Sequence, residues 1–273
     1  MVTSSDRVDY DLKLAQFKIN GYVVLPDMIC EKTLDEMHEA FIPMLDHVRQ
    51  RQTEVSSVET GDLRTGRGRQ NAPHRYTMTV PWQLPFTDPA VVEHPMILEF
   101  LERYWGTDDF VITCLHSNNP YPGTGFQRWH RDTRLARHIP HQALERCPVV
   151  GIKFPLLGTS EENGSIEVLP STQYLTDPDL EDRYDEVLRK GEFPSAHRLN
   201  LDKGSMWVQD VRMLHRGTPN RSDHWGPEIV ICFCLSWFAI EQHVEMTQED
   251  YDKLSDRSKK LHRRCVIVPN EVT

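Results

Sequence analysis

Five short runs rich in β-branched and aromatic residues dominate the second half of this 273-residue chain, at 110–114, 148–157, 165–169, 205–208 and 228–238. Pro, Gly, Asn and Asp punctuate them. Strands of that length are stable only when several pair and one face is covered, so the runs predict a many-stranded core. Helical spacing lies mostly outside them. Leu34, Met37, Phe41, Met44, Leu45 and Val48 recur on one face across 29–48. Residues 96–105 predict a second helix, closed by Gly106, and residues 17–26 read as a helix end, a turn at Asn20–Gly21 and a strand. Helical signal returns at 180–190 and at 247–261, where Thr247 and Asp250 have capping-box spacing. Helices, then short strands, then a closing helix predict an α+β fold with a mainly β core, a double-sheet barrel of the jelly-roll or cupin-like type flanked by N-terminal and C-terminal helices.

With no repeat and no Gly/Ser linker, one domain is expected over 1–273, with its core at about 17–240 and a C-terminal helical extension at about 245–273. Hydrophobic residues make up 38% of the chain, enough for a sizeable core. The net charge of -10 repels phosphate backbones, which excludes nucleic acid as the expected partner. No stretch of apolar residues is long enough to span a membrane. The six cysteines include no CxxC pair, and no signal peptide is evident, so reduced thiols in a cytoplasmic protein are expected. Cys232 and Cys234 lie in an apolar run and read as core residues. A small-molecule partner is expected, on a monomer or homodimer.

The chemistry concentrates at QRWHRD, residues 127–132. On a strand, His130 and Asp132 face the same way, so an imidazole and a carboxylate converge. A histidine from a distant strand would complete a 2-His-1-carboxylate set, which leaves positions open on Fe(II) for O2 and a substrate or cosubstrate. His-x-Asp alone is a weak signal among thirteen histidines, and His243–Val244–Glu245 is a near-match read as a surface accident. Context singles out His215, which follows a strand and a turn in GSMWVQDVRMLHRGTPN. His116, His138, His141, His197 and His224 lack that setting and are expected to face solvent or to be satisfied locally.

Five segments in this order, FKINGYVVLP, QRWHRD, KFPLLGTSEENGSIEVLP, LDKGSMWVQD and LHRGTPNRSD, resemble the phytanoyl-CoA dioxygenase-like branch of the Fe(II)/2-oxoglutarate oxygenases, over about 17–238. The resemblance implies a double-stranded β-helix, with iron held by His130, Asp132 and His215. It implies Fe(II), 2-oxoglutarate and O2 as cofactor and cosubstrates, and Gln127 as a contact to 2-oxoglutarate. The implied activity is oxidation of a small metabolite or natural product by hydroxylation, desaturation or cyclisation. Asp132 stands where halogenating relatives carry a small residue, so halogenation is not expected.

Two positions depart from the family. The Arg that grips the distal carboxylate of 2-oxoglutarate is expected eleven residues after His215, where this chain has Gly226. Ile166 replaces a Thr in the ENGxT motif. A buried carboxylate without a partner is costly. Lys153, in the apolar run VVGIKFPLL, is the expected replacement, as on the corresponding strand of jumonji-type relatives, with Arg221, His224 and Arg128 as weaker stand-ins. Arg128, Arg134 and Trp225 are candidate substrate contacts. The loop 133–147 and the Arg/Gly-rich segment 51–74 are expected to act as lids. Two alternatives stay open: an iron isomerase or oxygenase of the same fold that does not use 2-oxoglutarate, favoured by Gly226 and Ile166, and a binding barrel without activity.

Overall fold

The computed structural model describes residues 9–62, 66–132, 145–175 and 185–269. Helix α1 (Tyr10–Asn20) starts where the Asp9 carboxylate accepts the Leu12 amide and stops at Gly21, whose φ of 82° suits glycine. Strand β1 (Tyr22–Leu25) follows directly, as the Asn20–Gly21 turn predicts. In α2 (Glu31–Arg51) the residues at helical spacing, Leu34, Met37, Phe41, Leu45 and Val48, are all buried. After α3 (Pro89–Val92), α4 (Pro95–Trp105) buries Ile97, Leu98, Phe100 and Leu101 and ends at left-handed Gly106.

The described strands form three sheets: a large one, a small one, and a parallel pair of β11 (Glu245–Thr247) and β12 (Val266–Val268). The large one contains β2 (Arg67–Ala72), β3 (Arg75–Thr79), β4 (Phe110–Pro120), β5 (Val149–Pro155), β8 (Met206–Asp210) and β10 (Glu228–Leu235), in the order β1-β8-β5-β10-β4-β3-β2. All its neighbours run antiparallel. The small sheet is β7-β6-β9, from β6 (Glu167–Val168), β7 (His197–Arg198) and β9 (His215–Arg216), and His130 pairs with His215 beside it. Ile152, Phe154, Val208, Ile229 and Ile231 on one face of the large sheet share a single core with α2 and α4. Strand alternation turns Lys153, Trp207, Glu228, Val230 and Cys232 to the other face, toward the small sheet. In β4 the register slips at Thr113, so that Cys114 pairs with Cys232 and Ile112 with Phe233. Beyond that bulge Cys114, His116 and Asn118 also face inward.

Two expectations need correction. Part of 51–74, read as a polar lid, is β2, paired with β3 at the sheet edge. The helix expected over 247–261 is two helices, α6 (Gln248–Asp252) and α7 (Asp256–Leu261), because Ser255 caps a new start by accepting the Ser258 amide. Of the helix expected over 180–190, α5 (Asp185–Lys190) is described. No helix among the described residues is long and apolar enough to cross a membrane.

Candidate metal centre and adjoining cavities

Backbone pairing brings the ligand candidates together. His130 and His215 exchange two amide–carbonyl bonds of 3.0 Å, and the Asp132 amide donates to the Val211 carbonyl at 3.1 Å. His215 Nε2 then stands 3.2 Å and His130 Nε2 4.0 Å from Asp132 Oδ1. The same pairing extends to Gln127, whose amide donates to the Gly217 carbonyl at 2.9 Å.

Both imidazoles are oriented from behind. His130 Nδ1 donates to the Arg128 carbonyl at 3.0 Å, and His215 Nδ1 to the Met213 carbonyl at 3.1 Å. With those protons on Nδ1, each Nε2 lone pair faces Asp132. Gln209 lies 3.0 Å from His215 Nδ1, and a turned amide would bring its otherwise unpartnered Oε1 to that proton. Burial lowers the His130 imidazole to about 4, which keeps it neutral and able to donate its lone pair. Burial alone would raise the Asp132 carboxyl, but the Lys153 ammonium beside it holds it well below the usual carboxylate range. Two imidazoles and one carboxylate, with donor atoms within 4.8 Å of one another, suit a divalent ion.

The triad lines a cavity of about 200 Å³, shared with Gln127, Arg75, Asn71 and Glu228. Lys153 reaches this site from β5, but its amine lies 3.1 Å from Asp132 Oδ2 and 5.0 Å from the Trp207 ring. It therefore braces the acidic ligand of the triad. The vacated Arg position has closed: a Cβ on Gly226 would stand 2.8 Å from the Asn163 carbonyl oxygen and 3.2 Å from Pro120 Cγ.

Arg75 is the cation that sequence reasoning missed. It opens β3 and is only 4% exposed. Its Nη2 donates to the carbonyls of Thr218 (2.8 Å) and Gly125 (3.4 Å), while its Nε has no partner. No carboxylate among the described residues forms an ion pair with it. Burial lowers its pKa to about 10, partly offset by the field of Glu228. The Gln127 side chain accepts the Gly217 amide at 2.9 Å, and a Cβ on Gly217 would lie 2.5 Å from both Arg75 Nη1 and Gln127 Oε1. Glycine at 217 thus lets the guanidinium and the amide meet beside the triad. The only sequence clue was an Arg among turn-forming residues, which reads as a solvated loop.

The other candidates lie elsewhere. Arg128 pairs with Asp185 at 2.8 Å. Trp225 is buried in the core, donating to Asp46 and packed on Tyr76 and Tyr121, so it does not line the cavity. Arg221 is exposed on its loop and does not line it either. Arg134 and the loop around it fall outside the described residues. His116, expected to face solvent or to be satisfied locally, faces inward, hydrogen-bonds Cys114 at 3.2 Å and lines both this cavity and a neighbouring one of about 400 Å³.

Solved structures share this architecture. AviO1 from Streptomyces viridochromogenes Tue57 superposes with a TM-score of 0.59 at 16% identity, over 86% of this chain and 98% of that one. HygX from Streptomyces hygroscopicus, solved with nickel and 2-oxoglutarate bound, gives 0.57 at 13% identity, over 90% and 91%. The epimerase SnoN, in complex with Fe3+, alpha ketoglutarate and nogalamycin RO, gives 0.54 at 16% identity, over 82% and 83%. At these identities the likeness concerns the fold. The family model for phytanoyl-CoA dioxygenase (PhyH) matches residues 17–226, which takes in the triad, Gln127, Lys153 and Arg75. The chain belongs to the phytanoyl-CoA dioxygenase (PhyH) family.

Proposed function

We propose that this protein is a non-haem Fe(II), 2-oxoglutarate-dependent oxygenase acting on a small metabolite or natural product. The observation that carries the reading is the convergence of His130, Asp132 and His215 beside a buried guanidinium, Arg75, that forms no ion pair with a carboxylate among the described residues. Fe(II) held by His130, Asp132 and His215 would supply, with 2-oxoglutarate and O2, the oxidising chemistry that removes a substrate hydrogen at the expense of the keto acid, which leaves as succinate and CO2.

Each residue has a task in that setting. His130 and His215 offer lone pairs because their Nδ1 protons are held by backbone carbonyls. Asp132 offers one carboxylate oxygen while Lys153 holds the other. Arg75 pairs with the distal carboxylate of 2-oxoglutarate, the role left open by Gly226, and a charge-assisted pair there relieves the desolvation of both groups. The Gln127 amide, fixed by Gly217, orients the cosubstrate from the same side. Hydroxylation, desaturation and cyclisation are all compatible with this arrangement, and a solved relative that is an epimerase widens the range of outcomes.

A second reading keeps the iron and drops 2-oxoglutarate. It is favoured by the closed position at Gly226, by Ile166 in the cavity wall and by the Glu228 carboxylate there. Succinate formation from 2-oxoglutarate under air separates the two. The first reading expects Fe(II)-dependent succinate that falls to background in His130→Ala and His215→Ala. Iron-loaded wild type that makes no succinate would favour the second.

A further inference from the structure

Outside the triad, one more cluster of metal-binding side chains among the described residues lies on the inner face of the large sheet. Cys114 and Cys232 are direct cross-strand partners on β4 and β10. His116 stands two residues beyond Cys114, on the same face because the Thr113 bulge precedes both. Cys114 Sγ and His116 Nδ1 are 3.2 Å apart, and one donor atom from each of the three residues lies within 4.8 Å of the others. Around a tetrahedral ion with bonds of about 2.0–2.3 Å, donors sit at separations of this order, so small side-chain rotations suffice. Nothing in the proposed oxygenase chemistry uses these two thiols.

The geometry points to a second metal site, built from Cys114, His116 and Cys232, that takes a soft divalent ion of the zinc type and leaves its fourth position open. Three considerations carry the assignment. First, two thiolates and an imidazole favour zinc over iron or magnesium, whereas the triad, with a carboxylate and two imidazoles, suits Fe(II), so the two sets sort metals by donor chemistry. Second, two thiolates balance a divalent charge, which makes the loaded site neutral where an uncompensated ion would be costly. Binding releases the two thiol protons to solvent and changes no oxidation state. Third, Cys114 and His116 line the cavity of about 400 Å³ together with Arg69, Thr77, Thr79 and Glu241. The open position therefore faces a polar chamber wide enough for a small molecule. His116 also lines the cavity of the triad, so an ion held here would offer a Lewis-acid anchor for an oxygen or nitrogen of a substrate placed next to the iron ligands.

This inference is independent of the choice of cosubstrate, and cobalt tests it without turnover. Reduced protein is titrated with Co(II) under anaerobic conditions while the ultraviolet thiolate-to-cobalt charge-transfer band and the visible ligand-field bands are recorded. Wild type is expected to take two equivalents, one of them with the thiolate band. The band should persist in His130→Ala/His215→Ala, disappear on adding Zn(II), and be absent in Cys232→Ser, which still loads one equivalent at the triad. His116→Gln should weaken the thiolate-linked binding at least about tenfold. Circular dichroism verifies that each variant is folded, and Cys114→Ser reads the same band should Cys232→Ser not fold. Cobalt binding at the triad alone, or a thiolate band that survives both serine variants, would overturn the assignment.

Discussion

Arg75 keeps its charge where water barely reaches it, and the residue opposite it explains how. Gly217 is the one position at which a methyl group would collide with both the guanidinium and the Gln127 amide, at 2.5 Å from each. Gly217→Ala is therefore expected to displace Arg75 and to weaken 2-oxoglutarate binding by about tenfold or more, since a charge-assisted pair contributes on the order of 1.5–3 kcal/mol. Isothermal titration of the metal-loaded protein checks this. Gly226→Arg, which writes the family's usual residue back, is expected not to strengthen binding and to lower the melting temperature, because Asn163 and Pro120 already occupy the approach. The triad was legible in the sequence because its residue types and setting are unusual together. Arg75 was not, because nothing in an Arg/Gly-rich stretch signals that one guanidinium is folded under. Lys153 illustrates the intermediate case: strand alternation correctly turned it toward the site, but only the structure shows its amine engaged by Asp132.

At the scale of elements, periodicity did most of the work. The predicted face of α2 is the buried face, and Gly21 and Gly106 end their helices as predicted. Phe41 sits at the centre of that face, fully buried and edge-on to Phe86 at 5.5 Å. Phe41→Ala is expected to cost about 3–5 kcal/mol in urea unfolding, from lost burial plus the cavity left behind. A loss below about 1 kcal/mol would show that α2 is not anchored to the sheet as described. Two elements were hidden from the sequence for physical reasons. The strand β2 reads RGRQNA and carries little β propensity, and its strand state comes from pairing with β3. The bulge at Thr113 has no local signature, yet it decides that Cys114, His116 and Asn118 point into the barrel.

On the scale of the whole molecule, the C-terminal segment is tied back onto the barrel through a buried histidine. His262 donates from Nδ1 to the Ser258 carbonyl at 2.8 Å and packs on Trp82 with ring centroids 4.1 Å apart. Burial lowers its pKa to about 4, against about 6.5 in an unfolded chain. Between those values the unfolded chain binds a proton that the folded chain refuses, so stability is full above about 6.5 and falls as pH drops toward 4. His262→Phe, compared with wild type by urea unfolding of metal-saturated protein, is expected to reduce the loss between pH 7 and pH 5 by about 2 kcal/mol. An unchanged acid limb would contradict that placement. The central claim, that the triad and Arg75 together form a 2-oxoglutarate site, is tested most directly by titrating the anaerobic Fe(II) protein with 2-oxoglutarate and following the visible metal-to-ligand charge-transfer band. The account predicts a saturable band in wild type, weakened by about ten- to a hundredfold in affinity by Arg75→Ala and less by Lys153→Ala. Iron-loaded wild type with no band, or an Arg75→Ala variant that binds as tightly as wild type, would contradict it.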